Sequence, residues 1–107
     1  MIKVSFFYPY RENVRFDIDY YCKSHMPWVA GLLGSAAKGW SVDAGLAGGA
    51  PGSAPTYVAA GHVLFDSVDA FTAAVSPHLK AFADDIVNYY PEGGPPVVQI
   101  SDVRAVN

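Results

Sequence analysis

Phe16-Asp17-Ile18-Asp19-Tyr20-Tyr21-Cys22-Lys23-Ser24-His25-Met26-Pro27-Trp28-Val29 reads as an amphipathic helix with one residue out of place. Ile18, Tyr21, Cys22, His25, Val29 and Leu32 recur at spacings of three and four and share a face. Asp17 and Asp19 fall in the first turn, where carboxylates suit the positive end of the helix dipole. The misfit is His25, a titratable ring on an apolar stripe one turn after Tyr21 and two residues before Pro27. Pro27 has no backbone donor and biases Met26 away from helical angles, which predicts a kink or break at His25–Met26. A second helical segment then carries Pro27 in its first turn and ends at Gly34.

Working outward, Ile2–Tyr8 is rich in β-branched and aromatic residues and reads as a strand, with Ile2, Val4, Phe6 and Tyr8 on one side. Lys38–Leu46 is a second strand, Tyr57–Phe65 a third and Val97–Val103 a fourth. The Gly/Ala/Pro-rich stretch 47–54 between the second and third is a loop, long enough for a flap or for a reach across a neighbouring subunit. Asp66 or Ser67 caps a second helix. Its core stripe is Val68, Phe71, Val75, Leu79, Phe82 and Ile86, and Pro77 is positioned to kink it. The order strand, helix, strand, strand, helix, strand is the ferredoxin-like βαββαβ arrangement of the α+β class, a four-stranded antiparallel sheet with both helices on one face.

The 107 residues make one domain, 1–107. The chain is 51% hydrophobic and only 16% charged, against a usual charged share of about 25%. The strands are apolar on both sides, so the sheet face without helices needs a cover. A second copy, sheet against sheet, is the expected one, which makes the chain a homodimer closing a dimeric α/β barrel. The net charge is −3 and the seven cations are scattered, which argues against nucleic acid. No apolar run approaches the roughly 20 residues of a membrane helix. The N-terminus lacks a signal pattern, so a cytoplasmic location is the expectation. Cys22 is alone and is read as a small buried hydrophobe.

His25 is either a packed histidine bonded to a carbonyl or tyrosine, or a neutral imidazole facing a pocket, able to relay a proton near neutral pH. Tyr21 is placed to orient it. Phe7 and Gln99 are candidates for the lining of a cavity on the open sheet face. His62 and His78 join them as candidate ligand-binding residues. A three-histidine metal site has no supporting ligand spacing, and no metal is expected. Asp84 and Asp85 diverge by about 100° on a helix, so they do not form a catalytic pair. Asp85, Asn88 and Tyr89 are read as local caps of the helix end.

Arg15-Phe16-Asp17-Ile18-Asp19-Tyr20-Tyr21 with Lys23-Ser24-His25-Met26-Pro27 resembles the signature of the EthD family, named for ethyl tert-butyl ether degradation. The resemblance extends through Lys38-Gly39-Trp40, Gly61-His62, Phe65-Asp66-Ser67, Pro77-His78, Asp85-Ile86-Val87-Asn88-Tyr89 and Val98-Gln99-Ile100. Val87 departs from it, since similar sequences often carry proline there. The resemblance implies a dimeric α+β barrel that binds a small hydrophobic organic ligand in oxidative degradation. The chain would be an oxidoreductase without a tightly bound cofactor, or an accessory to an oxygenase system. His25 would be the proton relay, Tyr21 its orienting partner, and Phe7, Trp28, Trp40 and Gln99 pocket walls. Fold relatives supply the alternatives of a cofactor-independent monooxygenase or cyclase and of a non-catalytic ligand or haem carrier.

Overall fold

A computed structural model describes all residues, 1–107. Four strands, β1 (Ile2–Pro9), β2 (Gly39–Ala44), β3 (Tyr57–Phe65) and β4 (Val97–Asp102), form one antiparallel sheet in the order β2-β3-β1-β4. The helical segments α1 (Ile18–Tyr20), α2 (Met26–Leu33), α3 (Val68–Val75) and α4 (Leu79–Asp84) follow β1 and β3. The architecture is the ferredoxin-like α+β arrangement expected from the element order.

Side chains alternate across a strand, so register decides what each face carries. Val4 pairs with Val63 and Ile2 with Phe65, and these four, with Tyr8, belong to the buried core beneath the helices. Ser5 pairs with His62 and with Gln99, and these fall on the opposite, open face. Phe7 lies on that face as well, packed against Tyr57 with ring centres 4.9 Å apart and the planes tilted by 36°. β2 stops at Ala44, two residues short of the expected Leu46, which is 92% exposed. The 47–54 loop folds on itself through bonds from Gly48 to Ser53 and from Ser53 to Ala50.

The first helix does not break at His25–Met26. Met26 is helical, at φ −65° and ψ −42°. Instead Tyr21–His25 form a π-helical turn, closed by the Met26 N–H bonding back to the Tyr21 carbonyl. The chain absorbs the donor missing at Pro27 by widening the turn before it, and Pro27 sits in the first turn of α2. The wider turn advances the buried stripe by one residue. Tyr21, His25, Met26, Val29 and Leu33 are buried, while Leu32 is 42% exposed and Cys22 is half-buried. Asp17 caps the start by accepting from the Tyr20 N–H at 3.0 Å. Gly34, at φ +59°, closes the end as expected.

Ser67 caps α3 by accepting from the Ala70 N–H at 3.0 Å. A 3₁₀ turn, Ser76–His78, follows at Pro77 and re-aims α4. Val75 of the expected stripe is buried and Phe71, Phe82 and Ile86 pack at the core margin, but Val68 is 48% and Leu79 59% exposed. Beyond that turn, Leu79, Phe82 and Ala83 of α4 border a space that Val98 of β4 also lines.

Candidate functional site

That space is a cavity of about 360 Å³ between the helices and the sheet. Phe6 and Val63 rise into it from the sheet, Val75 and Ile86 close it from the helical layer, and Leu79 and Val98, both about half exposed, stand at its mouth. Sixteen of its nineteen wall residues are hydrophobic, the others being His25, Pro95 and Pro96. Lysine, arginine and carboxylate side chains are absent from this wall. The polar atoms it can offer are the His25 ring and the hydroxyls of Tyr8, Tyr21 and Tyr89.

His25 comes from the last position of the π turn and is 6% exposed. Its Nδ1 lies 2.7 Å from Oδ2 of Asp85, the residue that ends α4. The other Asp85 oxygen, Oδ1, accepts from the Tyr20 hydroxyl at 2.9 Å and from Asn88 Nδ2 at 2.8 Å. Burial pushes the His25 pKa down and outweighs the opposing carboxylate. Burial would raise Asp85, but donation from His25, Asn88 and Tyr20 reverses this and holds it low. The pair is therefore a neutral imidazole and a carboxylate. A carboxylate only accepts, so the proton between them sits on Nδ1 and Nε2 carries the lone pair. Nε2 has no partner in the chain, and every fully buried side-chain polar atom has one, so Nε2 keeps accessible surface on a ring that lines the cavity.

Stacking fixes the ring. Tyr21 lies parallel to it at 5.2 Å and 12°, Tyr89 packs at 4.7 Å and Trp28 meets it edge-on at 5.8 Å. Behind them the Tyr8 and Tyr89 hydroxyls bond at 2.8 Å. Burial raises the pKa of Tyr8, Tyr21 and Tyr89 far above the ordinary phenol value, so all three stay neutral. Tyr21 reaches this depth because position 61 is glycine: a Cβ there would lie 2.1 Å from its hydroxyl oxygen.

The structure thus gathers Tyr21 and His25 at one cavity and sets Trp28 against the back of His25. The remaining sequence candidates lie apart. Trp40 faces the helices beside Met26, Val29 and Leu33 in a separate narrow cleft. His78 sits on the 3₁₀ turn against Phe82, at 5.6 Å. Phe7, His62 and Gln99 are on the open face, on the far side of the sheet from His25. There His62 Nδ1 bonds Ser5 Oγ at 2.7 Å and its Nε2 bonds Asp43 at 3.0 Å, while Gln99 donates to Ser101. The cavity described above lies under the helices, and Phe7, Gln99 and the residues of 47–54 are not part of its wall. Asp85 and Asn88 cap less than they orient: the expected local role holds for their mutual bond, but the partner that matters is 60 positions away. Asp84 points to Lys80 and solvent, as its divergence from Asp85 requires.

The EthD domain model matches residues 14–92. An EthD-like protein of known structure from Ralstonia eutropha JMP134 is 44% identical, with 99% of this chain and 94% of that one covered and a TM-score of 0.92. An ethyl tert-butyl ether (EthD) family protein from Bacillus halodurans C-125 is 16% identical, with 97% and 99% covered and a TM-score of 0.70, which shows the shared fold. No curated protein matches significantly. The family match takes in Tyr21, His25 and Asp85 and covers most of the chain, and the chain belongs to the EthD family.

Proposed function

We propose that the chain binds a small, largely apolar organic molecule in the cavity beneath the helices, and that His25 Nε2 accepts a hydrogen bond or a proton from it. The carrying observation is the His25–Asp85 pair, a neutral imidazole held through Nδ1 from behind, on a ring that lines an apolar space with its other nitrogen unpartnered. Such a ring is poised for general base work near neutral pH. The family's name links it to degradation of an ether, which supports a part in oxidative breakdown of small organic compounds. In that setting the chain holds and orients the molecule, and His25 manages its proton.

A saturable rise in fluorescence of N-phenyl-1-naphthylamine, an uncharged apolar probe, tests the site. We expect one probe per chain, and we expect Ala83→Trp, which adds bulk at the cavity wall, to weaken the signal. Linear, non-saturating uptake in the unmodified protein would sink the proposal.

We also infer that a second copy covers the open sheet face. Phe7 and Tyr57 present aromatic surface there, and Val97 on the edge strand is 50% exposed. A monomer leaves that apolar face in water.

A further inference from the structure

We infer that the ligand of this cavity is an uncharged, ring-sized molecule carrying one weakly acidic hydroxyl group, and that the site rejects carboxylates of the same shape. The inference rests on the ligand site proposed above and names its chemical class.

Three observations carry it. The first is polarity. Apart from His25, the wall offers only apolar surface and neutral tyrosine hydroxyls, and no cationic side chain lines it. A ligand entering as an anion would lose its water without gaining a counter-charge, and an unpaired buried charge is the costliest group to place in such a space. The second is direction. With Nδ1–H committed to Asp85 at 2.7 Å, Nε2 can only accept, so the complementary group must donate. An ether oxygen or a carbonyl does not satisfy it, and a hydroxyl does. The third is size. A volume of about 360 Å³ lies at the small end of ligand pockets, which span about 300–1,000 Å³, and suits one or two rings better than a long chain.

The ring system would lie among Phe6, Val63, Val75 and Ile86, with its hydroxyl directed at His25. No bond is made or broken on binding, since the hydroxyl proton is shared with Nε2. The Asp85 carboxylate already stands behind the imidazole to balance the charge should the proton pass over.

Calorimetric titration of the intact protein at pH 7 with 2-naphthol, 2-methoxynaphthalene and 2-naphthoate decides the matter. The three share a ring system, and a phenolic hydroxyl, with a pKa of about 10, is neutral at that pH. We expect 2-naphthol to bind about tenfold tighter than its methyl ether, the worth of one buried hydrogen bond. We expect 2-naphthoate to bind at least tenfold more weakly than 2-naphthol. In His25→Phe, which keeps a flat ring against Tyr21, the preference of naphthol over the ether should vanish. Should that variant fail to fold, the series on the unmodified protein decides alone. Equal affinity for all three, or tighter binding of the naphthoate, overturns the hydroxyl class and leaves the apolar site standing. Failure of all three to bind overturns the ligand site itself.

Discussion

Asp85 holds Nδ1 of His25 at 2.7 Å from 60 positions further along the chain, and the contact joins the end of α4 to the π turn after α1. Its two oxygens accept from three donors, so both are engaged. Asp85→Asn retains the shape but puts a neutral amide in place of the anion. The His25 pKa, already below its ordinary value through burial, should fall further once the opposing carboxylate is gone. Charge-assisted hydrogen bonds are worth about 1.5–3 kcal/mol, so a loss of that order in unfolding free energy is expected. NMR titration of the His25 ring and denaturant unfolding check the two effects, and a raised His25 pKa would contradict the assignment.

The same pair sets the response to acid. His25 has a folded pKa below its unfolded value of 6.5, so the unfolded chain binds the proton more readily. Its contribution is intact above pH 6.5 and is lost as pH falls from there to the folded value. Asp85 is also lowered, from 3.8, so its contribution disappears at still lower pH, as it protonates in the fold. The melting temperature should therefore hold steady above neutrality and drop on acidification in two stages. In His25→Phe the first stage should be absent. A melting temperature that rises between pH 7 and pH 5 would rule this account out.

Gly61 and Tyr21 form a second dependent pair. A methyl group at position 61 would lie 2.1 Å from the Tyr21 hydroxyl oxygen, and that ring stacks on His25. Gly61→Ala should destabilise by about 1–3 kcal/mol, the usual range for overpacking a core. It should also perturb the His25 ring resonances. Tyr21→Phe removes the colliding oxygen, so the double variant should recover much of the Gly61→Ala loss and depart clearly from additivity. Additive single and double variants would show that the two residues do not collide.

The strands and caps were legible because their signals are local. Alternation put Val4 and Tyr8 on one side of their strand, the side that is buried, and Ser67 announced its cap. Gly34 marked the end of α2. His25 stood out because a polar ring interrupts an apolar stripe. Asp85 did not, because its partner is distant and its neighbours Asp84 and Asn88 offered a sufficient local explanation. The π turn was hidden for a related reason. Proline announces a disturbance in the hydrogen-bond ladder, but whether the chain breaks or widens depends on packing against the sheet. The cavity was hidden as well, because its wall joins residues far apart in the chain, Phe6 and Val63 with Leu79 and Val98.

The open face yields the last prediction. It carries the chain Ser5–His62–Asp43, whose His62 is the central member, beside the aromatic pair Phe7 and Tyr57. Ser5 is 4% exposed within a single chain, so the polar row already lies partly beneath its neighbours. Apolar groups flanking a satisfied polar row suit a partner that covers the face without stranding a hydrogen bond. A second copy in solution meets this need, and sedimentation equilibrium should give twice the chain mass at micromolar concentration. Phe7→Glu sets a charge opposite its own copy or within an apolar contact and should yield monomers of unchanged circular dichroism. That variant leaves the His25 cavity on the other side of the sheet untouched, so probe binding there should persist. A monomeric parent protein at 100 μM, a deliberately generous concentration of order 10⁻⁴ M on the affinity scale, would refute the covering copy.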